Sequence, residues 1–237
     1  MAGAVVQGRG DGGRAERLHT AARRTAGLEE GELEVAAIYS VSLGILPPVL
    51  RAWRRLHPGV RIRLREYPHA DLLRAAMAAG RADVAIGPVP DGWEGPIREL
   101  GVEEFAVVLP ADDPLADSPA GTVALAGLAD RDWVHYAPGN GLAELLDHVA
   151  AQAGFRPRAA VRAEQTSAAP LLAAAGLGPA LVPATIVPPH LDAAVLRPDP
   201  PVRRILTAYT RTRPDALTVA FADLVVAVGC VDPAGAG

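Results

Sequence analysis

One stretch near the start of the chain constrains the fold more than any other. Residues 33–38 read LEVAAI, and an apolar run of this length is typical of a buried strand. Residues 39–42 read YSVS, and apolar side chains then recur at helical spacing from Ile45 to Leu56. The pattern predicts a strand, a hydroxyl-bearing turn and a helix. Free backbone N–H groups at the start of such a helix can bind an anion or a polar ligand group.

The same alternation of strand and helix continues along the chain. It occurs in two runs, residues 33–87 and 133–182, which suggests two similar α/β lobes with parallel sheets. We expect a strand with one exposed face at 60–65, where Val60, Ile62 and Leu64 alternate with arginines. We also expect separate strands at 97–102 and 105–109, and helices at 70–79, 123–128, 142–153, 167–175 and 214–228.

Ligands of open α/β sheets bind outside the carboxyl ends of the strands. The polar residues that follow predicted strands are therefore candidates for one cleft. They are Ser40, Ser42, Gly139, Asn140, Gly141, Thr166 and Ser167. The serines and threonine have an equally simple interpretation as helix caps. The two roles are compatible, because a hydroxyl at a helix start can also contact a ligand.

Composition and motif spacing argue against several classes of function. The formal net charge of −4 indicates no broad surface for nucleic acid or membrane. The histidines show no metal-ligand spacing, and no nucleophile elbow or acid/base pair stands out. The single cysteine, Cys230, fits a reducing compartment. No apolar run reaches membrane-spanning length and the N-terminus lacks an apolar signal core. We expect a cytoplasmic, non-catalytic protein without metal or cofactor.

Five segments carry a family resemblance. They read, in order, LEVAAIYSVSLGILPPVLRAWRRLHPGVRIRLRE, LLRAAMAAGRADVAI, VVLPADDPLA, LLDHVAAQAGFRP and LLAAAGLGPALVP. Together they resemble the effector-binding domain, also called the substrate-binding domain, of LysR-type transcriptional regulators. The resemblance implies two Rossmann-like α/β lobes joined by two crossovers, the type 2 periplasmic-binding-protein fold. It also implies a small-molecule effector between the lobes.

The resemblance further implies boundaries and contacts. Lobe one would comprise residues 31–98 and 207–231, and lobe two residues 99–206. Residues 1–30 would be a flexible segment that could retain part of the family's linker helix. The family's effector contacts imply Tyr39, Ser40, Val41, Ser42, Pro138, Gly139, Asn140, Gly141, Thr166 and Ser167. Val89 and Pro90 are weaker candidates.

These observations lead to a functional expectation. The chain would sense an effector for a transcriptional regulator. The stretch before Leu33 is too short for the family's winged helix-turn-helix, so DNA would be contacted only through a region missing here. The alternatives are a free-standing solute-binding protein and an enzyme on the same fold. The missing export signal argues against the first, and the missing catalytic constellation against the second.

The ligand and the oligomeric state complete the expectations. No Lys or Arg occurs in 39–42, 138–141 or 166–167, so a small carboxylate would be held by backbone N–H groups and hydroxyls. A homodimer or a higher homo-oligomer would form through the lobe surfaces. Trp53 in the first helix is a candidate interface anchor, although Trp is also a common core residue.

Overall fold

The computed structural model describes residues 30–229. The expected N-terminal segment, apart from its last residue, and the interpretation of Cys230 lie outside the described residues. Each strand and helix is named here by its range and then by its label. The strands are β1 (Gly31–Ile38), β2 (Val60–Tyr67), β3 (Val84–Pro88), β4 (Ile97–Pro110), β5 (Thr122–Ala124), β6 (Asp132–Tyr136), β7 (Arg158–Ala163), β8 (Ala180–Pro183), β9 (Ala193–Asp199) and β10 (Arg203–Thr210). The helices are α1 (Tyr39–Gly44), α2 (Leu46–Leu56), α3 (Ala70–Ala78), α4 (Gly141–Gln152), α5 (Ala168–Ala174) and α6 (Ala216–Val228). Short 3-10 helices span Leu125–Leu128 and Ala184–Ile186.

Two strands run through both halves of the molecule. The main sheet has the order β2-β1-β3-β10-β4-β9-β5, and β8 also pairs with β4. The strands β1, β2 and β3 are parallel, whereas β10 is antiparallel to both β3 and β4. Strands β6 and β7 form a separate parallel pair. The long β4 pairs with β10 through its first part and with β8 and β9 through its last part, so β4 and β10 are the crossovers between two lobes.

Each lobe has its own hydrophobic core. The first lobe buries side chains of β1, β3, α2 and α6, with Trp53, Phe221 and Ile86 among the largest. The second lobe buries side chains of β4, β6, α4 and β8, including Trp133 and Tyr136. The cores are built from Ala, Val, Leu and Ile with a few aromatic rings, as the low aromatic content of 4% requires.

The prediction of two separate strands at 97–102 and 105–109 is wrong, because β4 is continuous. The sequence Glu103-Glu104 looks like a break, since charged residues rarely continue a buried strand. In the structure each carboxylate is paired across the ladder, Glu103 with Arg204 and Glu104 with Arg203. These cross-strand ion pairs allow the strand to continue through both lobes.

Three other predictions need correction. The helix expected from Ile45 is preceded by a separate short helix, α1, which contains the hydroxyl-bearing residues. The segment 123–128 forms a strand and then a 3-10 turn rather than one helix. Strand β2 lies at the sheet edge as expected, but Leu64 is exposed because no element covers that end.

Trp53 lies in the core of the first lobe and not at its surface. Its side chain is only 1% exposed. The indole contacts the Phe221 ring edge-on at 5.0 Å and the His57 ring at 4.0 Å. The hypothesis that Trp53 anchors an interface is therefore wrong, because α2 turns this face toward α6.

Candidate functional site

A cavity of about 550 Å³ lies between the two lobes, at the carboxyl ends of β1 and β3. The first lobe contributes the end of β1, the start of α1 and the turn between β2 and α3. The second lobe contributes the start of α4 and the turn before α5, and the crossover β10 contributes one side chain. The lining residues are Ile38, Tyr39, Ser40, Pro68, His69, Ala70, Pro88, Asn140, Gly141, Leu142, Glu144, Leu145, His148, Thr166 and Arg204.

Ser40 and Arg204 form the polar part of the first wall. Ser40 is 3% exposed and lies in the first turn of α1. Its hydroxyl makes no capping hydrogen bond; α1 has Ile38 at its N-cap position. Instead, Arg204 Nη2 donates a hydrogen bond of 2.7 Å to Ser40 Oγ. The hydroxyl is thereby fixed in place at the edge of the cavity.

Asn140 and Thr166 form the matching polar part of the second wall. Both are buried. Asn140 Oδ1 accepts a hydrogen bond of 3.0 Å from the Leu142 N–H and so caps α4. Asn140 Nδ2 donates to Thr166 Oγ1 at 3.3 Å. The capping role and the cavity role therefore coincide at Asn140, as the sequence allowed.

The two lobes touch directly beside the cavity. The Gly141 N–H donates a 2.9 Å hydrogen bond to the Pro68 carbonyl. His69 Nδ1 accepts from the Asp71 N–H, which leaves Nε2 as the protonated nitrogen, and Nε2 lies 3.1 Å from a Glu144 oxygen. The expectation that α4 offers free N–H groups to an anion is wrong for its first turn, because Pro68 and Asn140 already accept from Gly141 and Leu142.

A second contact between the lobes depends on a glycine. Gly44, at the end of α1, lies against the 3-10 helix of the second lobe. A Cβ atom at Gly44 would be 2.5 Å from Thr185 Oγ1 and 2.7 Å from Thr185 Cβ. Only glycine allows this approach without a shift of one lobe relative to the other.

The structure places a cation at the cavity that the sequence did not indicate. Arg204 is the second residue of the crossover β10 and lines the cavity; its side chain is 15% exposed. Arg204 Nε donates to Glu103 Oε2 at 2.5 Å, and the guanidinium carbon lies 5.2 Å from the centre of the Phe105 ring. The cavity therefore has a charged side chain in its lining, which the prediction of a site made only of hydroxyls and backbone N–H groups did not include.

Glu103 is fully buried. Burial disfavours the carboxylate and raises the pKa of Glu103 above its usual range, although Arg204 and the Thr185 side chain oppose the shift. The pair is a desolvated carboxylate held by the guanidinium of Arg204.

Only some of the predicted contact residues line the cavity. Tyr39, Ser40, Asn140, Gly141 and Thr166 line the cavity. Ser167 lines a neighbouring cavity of about 460 Å³ that shares Tyr39 and Thr166 with it. Val41 is in the first core, and the Ser42 hydroxyl donates to the Ile38 carbonyl at 3.5 Å. Pro138 and Gly139 are exposed in the turn before α4, and the weaker candidates Val89 and Pro90 do not line the cavity, whereas Pro88 does.

Sequence reasoning missed several lining residues. They include His69, Glu144 and His148, of which the last two have no distinguishing pattern in the sequence. His69 lies two residues after the end of β2, in the kind of position that marks a cleft residue. The position of Arg204 does not mark it as a cleft residue, because it lies near the start of a strand and not after the end of one.

Within residues 30–229, no group of His, Cys, Asp and Glu has the arrangement that would hold a metal ion. No helix in that range has the length and apolar character needed to cross a membrane.

The fold and the cavity define a class of protein. Two α/β lobes, joined by two crossover strands and separated by a cavity with polar side chains on both walls, are the type 2 periplasmic-binding-protein fold. Residues 26–229 match the family model described as the LysR substrate binding domain. The chain belongs to this family, as the five sequence segments indicated.

Individual relatives agree with the family. The chain is 29% identical over 154 residues to the transcriptional dual regulator GltC of Bacillus subtilis, an alignment that covers 65% of this chain and 51% of GltC. It resembles the C-terminal domain of a probable LysR family transcriptional regulator from Rhodococcus sp. RHA1, with a TM-score of 0.70, 27% identity and coverage of 83% and 98% of the two chains.

A third structure shares the fold. It is the CcmR regulatory domain of Synechocystis PCC6803 in complex with 2-PG, with a TM-score of 0.74, 18% identity and coverage of 84% of this chain and 98% of that chain. The chain spans about half the length of the curated relatives that it matches, with 51%, 42% and 60% of three of them covered.

Proposed function

We propose that this chain is the effector-sensing domain of a cytoplasmic LysR-type transcriptional regulator. It would bind a small carboxylate between its lobes and would have no catalytic role. The observation that supports this proposal is the cavity with Ser40 and Arg204 on one wall and Asn140 and Thr166 on the other. A ligand held by both walls favours the arrangement of the lobes in which the walls are close. Such a ligand shifts the population of lobe arrangements by its difference in affinity for them.

A screen of small carboxylates tests the proposed function. Thermal unfolding of the chain should shift upward with the carboxylate that fits, and calorimetry should then give its affinity. The 2-PG complex of the CcmR domain is a reason to include carboxylates that carry a phosphate group. If only cations or neutral apolar compounds stabilise the chain, the proposed ligand class is wrong.

Removal of either cavity hydroxyl should weaken binding of a carboxylate hit. We expect a loss of about tenfold for Ser40→Ala and for Thr166→Ala, because a hydrogen bond to a charged group contributes about 1.5–3 kcal/mol. Calorimetry measures the change. Ser42→Ala is the matched control, since the Ser42 hydroxyl bonds to the Ile38 carbonyl and does not line the cavity. Equal losses for Ser42→Ala and Ser40→Ala would contradict the proposed wall.

DNA binding would require a region outside this chain. Phosphate contacts need clustered Lys and Arg, whereas the formal net charge here is −4. We expect the isolated chain to bind duplex DNA more weakly than about 10⁻⁴ M at physiological salt. A gel-shift assay at decreasing salt measures this affinity. Salt-dependent shifts at micromolar protein would contradict the expectation.

Self-association through the lobe surfaces is also part of the proposal. The exposed face of α2 includes Leu56, which is 47% exposed. We expect a dimer in sedimentation velocity and a shift toward monomer for Leu56→Asp, because the substitution places a charge in the contact. Leu72→Asp, at an equally exposed leucine of α3, should leave the dimer intact. A strict monomer at high concentration would exclude this assembly.

A further inference from the structure

The pairing of Arg204 with Glu103 crosses from one crossover strand to the other. The two residues are directly opposite each other in the ladder of β4 and β10. Glu103 is fully buried, whereas Arg204 extends past it into the cavity, where it contacts Ser40. The buried carboxylate therefore lies behind the cation, and the cavity lies in front of it.

Arg204 has hydrogen-bonding capacity left over. A guanidinium has five N–H donors in a planar fork. Nε donates to Glu103 and one Nη2 hydrogen to Ser40. Within residues 30–229 no further acceptor pairs with this side chain, so its remaining N–H groups are open to the cavity. Such a fork matches the geometry of a carboxylate.

A second carboxylate on this guanidinium changes the charge balance. Without a ligand, Arg204 and Glu103 are neutral as a pair. When a carboxylate ligand binds the remaining N–H groups of Arg204, the ligand and Glu103 share one cation at a site that is shielded from water. Like charges at such a site raise the pKa of one of them. Burial already raises the pKa of Glu103 before any anion binds, so Glu103 is the carboxylate closer to its neutral form.

Other titratable groups must be distinguished from Glu103. Among residues 30–229, Arg204 is the one ion-pair partner of the Glu103 carboxylate. The buried Tyr136 lies near Arg204 with its pKa raised by burial, so it stays neutral. The remaining titratable lining groups of the cavity are Tyr39, His69, Glu144 and His148. His69 is paired with Glu144, and His148 lies 3.0 Å from the Gln152 amide nitrogen.

We propose that a carboxylate entering the cavity binds the open N–H groups of Arg204, and that Glu103 takes up a proton from solvent as it binds. This inference rests on the proposed function and adds a chemical coupling to it. A proton moves from solvent to a Glu103 oxygen, and no other bond changes. The complex then holds more protons than the free protein. Affinity must therefore fall as pH rises, by up to about tenfold per pH unit where Glu103 titrates.

Acetate is the probe, because it is the carboxylate group with one methyl and fits any cavity of this size. Titration calorimetry in two cationic buffers of different ionisation enthalpy gives the protons taken up per acetate bound. The measurement is made between about pH 6 and about pH 9, where acetate itself is ionised. We expect the uptake of up to one proton per acetate bound in this range. Acetate binding without proton uptake at every pH would overturn the inference.

Matched variants assign the proton. Glu103→Gln should abolish the uptake and bind acetate about tenfold more tightly, because Arg204 has lost its fixed counter-charge. Glu104→Gln removes the neighbouring carboxylate, which pairs with Arg203, and should behave like the native chain. His69→Gln and His148→Gln should keep the uptake. Uptake that persists in Glu103→Gln would overturn the inference.

The outcomes also separate this inference from the proposed function. Binding of acetate that needs Ser40 but is not linked to protons leaves the proposed function intact and refutes the role of Glu103. If acetate does not bind, this inference is refuted, and the screen of small carboxylates still tests the proposed function. If Glu103→Gln does not fold, Glu103→Asp withdraws the carboxyl by one methylene group. It must change the pH at which uptake is half-maximal, and an unchanged profile would refute the role of Glu103.

Discussion

Trp53→Ala should lower the free energy of unfolding of the chain by about 3–5 kcal/mol, the usual loss when a large buried aromatic side chain is removed. The indole is 1% exposed and fills the space between α2 and α6, where it meets Phe221 and His57. Alanine would leave a cavity that two packed helices cannot close. Denaturant unfolding followed by tryptophan fluorescence and circular dichroism measures the loss.

The control for Trp53→Ala is Leu72→Ala, since Leu72 is 51% exposed in α3. A surface substitution of this kind should change stability by about 0.5 kcal/mol or less. The loss for Trp53→Ala should not depend on protein concentration, because the contact lies within one chain. A small loss that appears only at concentrations where the chain dimerises would restore Trp53 as an interface residue.

Arg204→Gln should weaken the binding of a carboxylate by at least about 30-fold, because loss of one partner of a buried charged contact costs about 2–5 kcal/mol. The residue contacts Ser40 and lines the cavity, so its charge is the positive end of the proposed site. Arg203→Gln is the matched control: Arg203 is the preceding residue, pairs with Glu104 and does not line this cavity. Equal affinities for the native chain and Arg204→Gln would remove the cation from the proposed site.

Arg204→Gln should also change the stability of the chain with pH. Without the guanidinium, burial raises the pKa of Glu103 further, and the folded state holds its proton more tightly than the unfolded state. Stability is then retained at low pH and lost as pH rises through the pKa of the folded state. Glu103→Gln/Arg204→Gln should recover most of the stability at high pH without recovering binding. Thermal unfolding at several pH values compares the three proteins.

Local patterns in the sequence determined much of the secondary structure. Strand β1 and helix α4 follow from apolar runs and helical spacing, and their residues are within one or two positions of the predicted ranges. The order of strands and helices, with the five family segments, determined the fold class. Because polar residues after parallel strands meet at one edge of a sheet, the sequence assigns Ser40, Asn140 and Thr166 to one cleft.

Only the tertiary structure decided which of these side chains face the cavity. Ser40 and Ser42 are two positions apart in α1, so their side chains point about 200° apart around the helix axis. The serine that points toward the cavity is determined by the way α1 packs between the lobes. Likewise, the N–H of Gly141 is occupied because the Pro68 carbonyl of the other lobe reaches it.

The sequence by itself determined the class of fold, the family and the loops around the cleft, because periodicity and turn residues act over a few neighbouring positions. The tertiary structure decided the charge of the site. Arg204 is 164 residues from Ser40 along the chain, and the two meet only because β10 returns beside β4 and crosses between the lobes. No local pattern encodes such a contact, since it depends on strand order and register over the whole sheet.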